Sequence, residues 1–279
     1  MGELSLASVQ LDPVNGRHGL ARPAALVRPW GLEGDRRWMV VEPGGQFLTQ
    51  RACRAMALIT PIPTSEGLTL TRAGSRPCPV RFPDVEAPQL AVTVWNDTVR
   101  ARDAGDAAAH WLSEALARPC RLVWMHVPEL ARIRSLSGED VPVSFADGYP
   151  LLVASMASLA DLNARLAPKP AIPMNRFRAN IVVDGALPWE EDGWRLLSIG
   201  TALIRIVAAC ARCVVTTVDQ HTGQIPTPGE PLGTLAQFRR ASEGIMFAQN
   251  AIVEKTGVIT AGDKVEVLER GPSNLVLAG

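Results

Sequence analysis

Cys210-Ala211-Arg212-Cys213 holds the only close pair among the chain's five cysteines, with a guanidinium between the two thiols. A thiolate binds soft metals and attacks disulfides, and a neighbouring positive charge favours that form. A structural zinc centre needs four ligands, and His18, His110, His126 and His221 are too scattered to complete one. A dithiol redox pair wants a helix N-terminus after a strand, whereas the β-branched run Val214-Val215-Thr216-Thr217-Val218 predicts another strand. A metal-ligating sulfur and a pair of small buried hydrophobes both remain open on these residues alone.

Two arginine clusters stand at comparable places. Asn175-Arg176-Phe177-Arg178-Ala179-Asn180 precedes an apolar run, and Asp35-Arg36-Arg37 precedes Trp38 to Val41. Arginines at such junctions are commonly solvated or paired with carboxylates. Their planar forks equally suit a phosphate or a ring carbonyl.

The elements that must position these groups read mostly as β-structure. Short strands are expected over residues 4–10, 24–27, 37–41, 47–49, 57–61 and 68–71, separated by Gly- and Pro-containing loops. Alternation over Leu90 to Arg102 predicts a hairpin turning at Asn96-Asp97. The period changes at Asp106 to Leu116, where Ala107, Ala108, Trp111, Leu112 and Ala115 share a helical face, with Asp103 or Asp106 available as a cap. Arg121 to His126 is another strand, Pro128 to Asp147 reads as an irregular linker, and Ser155 to Leu166 is a second helix stopped by Pro168. Strands return at 181–183, 202–208, 214–218, 251–254 and 264–268. The sum is a mostly β (α+β) fold containing a barrel.

Composition bounds the function. Hydrophobic residues make up 47% and charged residues 20%, the balance of a folded globular protein, and no apolar run could span a bilayer. Formal charge is zero, with 28 basic and 28 acidic residues, so neither nucleic acid nor an anionic membrane is expected as the main partner. The start, Met1 to Leu11, lacks a secretory or transit pattern, and the cytoplasm is the default expectation. In a reducing compartment an odd number of cysteines argues against a disulfide framework.

Taken in order, several segments resemble the MOSC superfamily, in particular its amidoxime-reducing type. They are Gly31-Leu32-Glu33-Gly34-Asp35-Arg36-Arg37-Trp38, Phe47-Leu48-Thr49-Gln50-Arg51, Ser158-Leu159-Ala160-Asp161-Leu162-Asn163, Phe177-Arg178-Ala179-Asn180 with Ile181 to Val183, and the Cys210 to Cys213 motif with Thr216-Thr217-Val218-Asp219. The resemblance runs nearly end to end. It implies a MOSC β-barrel over residues 121–279, an associated N-terminal β-rich domain over 1–120 and a few peripheral helices. It further implies a molybdenum cofactor (molybdopterin) ligated by Cys213, with Arg36, Arg178, Asn180 and the loop Asp147-Gly148-Tyr149 against the phosphate and pterin, and Arg212 nearby.

The chain departs from the family pattern at one contact. Relatives carry Lys-Ser near the N-terminus for the cofactor phosphate, where this chain reads Pro13-Val14-Asn15-Gly16-Arg17-His18-Gly19. Asn15, the Gly16 amide and Arg17 are then the candidates for that end. Tyr149, the only tyrosine, stands where relatives carry small hydroxyl residues.

The activity the resemblance implies is reduction of small N-hydroxylated substrates, with electrons from a separate ferredoxin-like or flavin-containing protein. Asp219 and His221 are candidates for proton delivery or for a turn, which Thr222-Gly223 favours. Two other classes compete: a cofactor or sulfur carrier without turnover, and a dithiol oxidoreductase using Cys210 and Cys213.

Overall fold

The computed structural model describes residues 3–16, 19–136 and 138–277. Nine strands of the described residues form the largest sheet. Its order is Leu20–Arg22, Ser5–Leu11, Ile181–Asp184, Leu151–Ser155, Gly244–Lys255, Ala202–Ala211, Trp194–Ile199 and Val265–Arg270, with Arg240–Ala241 added beside Gly244–Lys255. The sheet curls back on itself: Leu6 N donates to the Asp263 carbonyl at 2.8 Å and Val265 N to the Leu4 carbonyl at 2.9 Å, joining the last strand to Ser5–Leu11. Within it only Leu151–Ser155 and Ile181–Asp184 run parallel, and helix Met156–Leu166 makes the crossover that parallel pairing requires.

Period-two alternation decides which side chains face inward. Leu151, Val153, Ile181 and Val183 join Leu197, Ile204 and Ala251 inside the curl. Leu152, Ala154 and Val182 turn outward and meet Leu159, Leu162 and Leu166 of the helix. Both faces are therefore buried, which explains why these strands read as continuous apolar runs. Ser155 caps the helix, its hydroxyl accepting from Ala157 N at 3.2 Å.

A second sheet runs Trp38–Val41, Arg121–Trp124, Asp97–Asp103 and Gln89–Val94, and a third runs Thr60–Thr64, Gly67–Thr71 and Cys78–Arg81. Trp38 and Val40 pack with Leu68, Leu70 and helix Asp106–Leu116, while Met39 and Val41 pack with Val92, Val99 and Phe145 on the opposite side. Cys78 and Cys120 are core members of the first cluster, with Cys53 packed against it, and no disulfide joins any of the five cysteines.

The mostly β expectation holds, and several local expectations fail. The linker expected at 128–147 contains helix Pro128–Ala131 and the hairpin Ile133–Leu136 with Glu139–Pro142. Residues 54–58 form a 3₁₀ turn before the strand Thr60–Thr64, and Phe47 makes one isolated bridge to Val41 instead of a strand. The 89–103 hairpin pairs Val94 with Asp97, so its tip is Trp95-Asn96 and not Asn96-Asp97. Helix Asp106–Leu116 has Gly105, not an aspartate, at its N-cap.

Candidate functional site

The strand expected after Cys213 is instead a 3₁₀ turn, Val214–Thr217. Threonine hydroxyls account for the difference. Thr216 Oγ1 donates to the Cys213 carbonyl at 2.9 Å and Thr217 Oγ1 to the Val214 carbonyl at 2.7 Å, folding the backbone back on itself against its β propensity. Arg176, buried, locks the turn by donating from Nη1 to the carbonyls of Thr216 (3.2 Å) and Thr217 (2.8 Å) and from Nη2 to Asp219 Oδ2 (3.3 Å). Burial lowers the Arg176 pKa from its ordinary value.

Cys213 thereby faces a cleft of about 490 Å³. Asn15, Arg36, Asp147, Gly148, Tyr149, Arg178, Asn180 and Arg212 line the same cleft, and Gly16 lines a small recess that shares Asn15, Arg178, Arg212 and Cys213 with it. Residues separated by nearly the whole chain are thus brought together. Arg17 and His18 lie outside the described residues.

The guanidinium groups divide the work differently from the sequence expectation. Arg212, which stands between the two thiols in sequence and is expected near the cofactor, donates from Nη1 to Cys210 Sγ at 2.9 Å and from Nη2 to the Phe177 carbonyl at 2.8 Å. Arg51 is the cation at Cys213, with Nη2 3.1 Å from Sγ and its guanidinium 4.5 Å from the Trp95 ring centroid. Arg36 lines the cleft, yet its nitrogens are committed to Asp35 and to Asp12 Oδ2 at 2.9 Å. Burial opposes the Arg36 charge, and the carboxylates of Asp35 and Asp12 more than offset it, so its pKa is raised. Burial likewise pushes the Asp35 carboxyl above the usual carboxylate range, against the pull of Arg36. Asn180 is also spoken for: Oδ1 accepts from Leu152 N (3.2 Å) and Arg36 Nη1 (3.3 Å), and Nδ2 donates to the Gln10 carbonyl (3.3 Å). Arg36 and Asn180 therefore line the cleft with most of their polar atoms already bonded to its wall.

Other donors stay open. Arg178 Nη2 lies 3.2 Å from Asp12 Oδ2 without hydrogen-bond geometry, and the buried Nε atoms of Arg176, Arg178 and Arg212 have no partner among the described residues. Unpaired buried donors are costly, so these residues fit an anionic group rich in acceptors. The described residues hold no cluster of three His, Cys, Asp or Glu side chains suited to a metal, so a metal at Cys213 would have to arrive with most of its ligands. Gly148 fits the same picture, because a Cβ built there meets nothing within 4 Å and the loop backbone stands open.

Asp219 belongs to the turn. Its Oδ1 accepts from His221 N (3.0 Å), Thr222 N (2.8 Å) and Thr222 Oγ1 (3.0 Å). Burial would raise its pKa, but the backbone donors of Thr222 and His221 and the charge of Arg176 lower it on balance, which keeps the carboxylate ionised. Sequence reasoning missed Arg51, Trp95, the turn-locking part of Arg176, and the buried pair Gln50 and Gln220, whose amides bond each other at 2.9 and 3.0 Å and tie the Arg51 loop to the segment after Cys213. Gln50 and Arg51 stood in a segment carrying the resemblance, which was the available signal.

Left-handed backbone concentrates here as well. Of the six described non-glycine residues with positive φ, Arg36 (47°), Trp95 (56°) and Arg178 (56°) all line the cleft. Such strain persists where the surrounding structure imposes it and is found preferentially at functional sites.

Comparison with known proteins agrees in domain content. The MOSC domain family matches residues 140–266, and the MOSC N-terminal beta barrel domain family matches residues 3–119. Mitochondrial amidoxime-reducing component 1 of Homo sapiens is 32% identical, over 95% of this chain and 83% of its own length. Mitochondrial amidoxime reducing component 2 of Bos taurus is 31% identical over 94% of this chain and 82% of its own. Molybdenum cofactor sulfurase of Oryza sativa subsp. japonica is 30% identical over 88% of this chain but 32% of its own length. The mitochondrial names of the two amidoxime-reducing relatives overturn the cytoplasmic expectation. Among the described residues no helix is long and apolar enough to cross a membrane. With this identity sustained over nearly its whole length, the chain belongs to the MOSC family, of the amidoxime-reducing-component type.

Proposed function

We propose that the protein is a molybdenum-cofactor-dependent oxidoreductase that reduces N-hydroxylated compounds, taking electrons from a separate ferredoxin-like or flavin-containing protein. The observation that carries the reading is one sulfur, Cys213 Sγ, set 3.1 Å from Arg51 in a cleft where Arg178 and Arg212 keep buried donors unpaired. Bound there, the cofactor supplies a two-electron centre for a reaction that breaks the N–O bond, forms N–H and releases water at the expense of two electrons and two protons.

The protein's part is ligation, orientation and field. Cys213 is the metal ligand, Arg51 fixes the direction of its side chain, and Arg178 and Arg212 oppose the negative charge of the pterin phosphate. Arg36 holds Asp12 and Asp35 in place, and with them the wall on which Arg178 sits. Asn15, the Gly16 amide and Arg17 serve the phosphate end, and Asp147, Gly148 and Tyr149 flank the pterin. We read the curled sheet as a closed barrel. Residues 1–120 form the N-terminal unit and 121–279 the MOSC unit, with strand Ser5–Leu11 lent by the first to the second.

The test is metal analysis with turnover of benzamidoxime to benzamidine by a reduced viologen. Cys213→Ser should lose molybdenum and activity together while its circular dichroism stays that of the wild type. Undiminished metal and turnover in that variant overturn the assignment of Cys213. A molybdenum-loaded wild type that leaves benzamidoxime unreduced supports the carrier reading instead. The dithiol reading finds little support, since each sulfur is held by a different arginine.

A further inference from the structure

Trp95 sits at the tip of the hairpin formed by Gln89–Val94 and Asp97–Asp103, with φ at +56°. A two-residue hairpin tip with left-handed φ at its first residue ordinarily takes glycine. A bulky side chain there is a genuine outlier, and an outlier of this kind points to a use for the side chain. The indole is not dropped into a core to compensate, for Trp95 remains 42% exposed. It leans on Phe47, with ring centroids 5.2 Å apart and planes at 58°, and carries the Arg51 guanidinium 4.5 Å from its centroid. That guanidinium in turn reaches Cys213 Sγ at 3.1 Å. Indole, guanidinium and sulfur are therefore contiguous along the wall of one cleft.

We infer that Trp95 is a specificity-determining residue, the aromatic wall on which a flat, conjugated N-hydroxylated substrate lies while its N–O group is presented beside Arg51 and Cys213. The inference rests on the reductase reading and adds the substrate class: aromatic amidoximes and their kin in preference to small aliphatic ones. An aromatic ring gains from indole by offset or edge contact, which a methyl group cannot reproduce. Tyr149 lines the same cleft, so the ring would enter a space with aromatic side chains from both halves of the chain.

The experiment compares benzamidoxime with acetamidoxime, by calorimetric binding and by kcat/KM with a reduced viologen, in wild type, Trp95→Phe and Trp95→Gly. Glycine accepts the left-handed φ at that tip, so backbone strain cannot explain a defect in Trp95→Gly. The expected result is a wild-type preference for benzamidoxime that falls about tenfold in Trp95→Gly and is largely kept in Trp95→Phe. A preference unchanged in Trp95→Gly, whether both substrates are retained or weakened equally, overturns the inference. So does a wild type that binds the two alike. Failure of the reductase reading shows separately, as absence of molybdenum-dependent turnover of either compound while the binding preference is still measured.

Discussion

One carboxylate, Asp12, faces both Arg36 and Arg178 on the wall of the cleft. Asp12 is buried, accepts from Arg36 at 2.9 Å and faces Arg178 at 3.2 Å, and its own amide donates to Asp35 at 2.7 Å. Removing one partner of a buried ionic cluster strands the charges it balanced, which costs about 3–5 kcal/mol. Asp12→Ala should therefore lower the free energy of unfolding by that order in urea titration, whereas substitution of an exposed pair such as Arg28 and Glu33 should change it by under about 1 kcal/mol. A loss no larger than that of the exposed pair would show that Arg36 and Arg178 find other counter-charges.

Between the helix Met156–Leu166 and the 3₁₀ turn Glu190–Gly193 lies a buried carboxyl apart from the cleft. Glu191 accepts from Ser158 Oγ at 2.7 Å, its Oε1 has no partner among the described residues, and burial raises its pKa from 4.5 to about 7. The Ser158 hydroxyl and Arg239 pull the other way, and the neighbouring Asp192 reinforces the rise. A carboxyl that holds its proton more tightly when folded stabilises the fold fully below about pH 4.5, and that contribution is lost as pH rises through about 7. The loss amounts to about 3 kcal/mol at most. Glu191→Gln should flatten the decline of Tm between pH 5 and pH 8, and parallel profiles for variant and wild type would rule this out.

At the scale of the whole molecule the N-terminal strand matters more than its position in the sequence suggests. Ser5–Leu11 lies between Leu20–Arg22 and Ile181–Asp184 in the large sheet, and Ala24–Arg28 pairs with Gly257–Thr260. A fragment of residues 121–279 expressed alone should lack cooperative unfolding, because an interior strand leaves a row of unpaired backbone groups and uncovers Leu197, Ile204 and their neighbours. Co-expression with residues 1–120 should restore it. A cooperative transition in the lone fragment would mean the sheet closes without that strand.

Much of this was legible from residue order, because local pattern carries local structure. Alternation at 89–103 announced the hairpin, the period of 106–116 gave a helix of those bounds, and Ser155 marked the start of the next. The motif segments announced the family and picked out Cys213, Arg178 and the 147–149 loop, all of which line one cleft. What composition and spacing could not decide was partnership. Val214 to Val218 has strand propensity, and only the hydroxyl bonds of Thr216 and Thr217 and the fork of Arg176 turn it into 3₁₀ structure. Arg212 lies between the two cysteines and next to Cys213 in sequence, yet the side chain that meets Cys213 comes from Arg51, 162 positions away, propped on a tryptophan at a hairpin tip. Propensities act over a few residues, whereas a guanidinium pairs with whatever folding brings within about 3 Å. The sequence by itself determined the family and the mostly β character and singled out Cys213 as the candidate sulfur, and tertiary packing alone decided which arginines were spent on carboxylates and which kept unpaired donors beside the cleft.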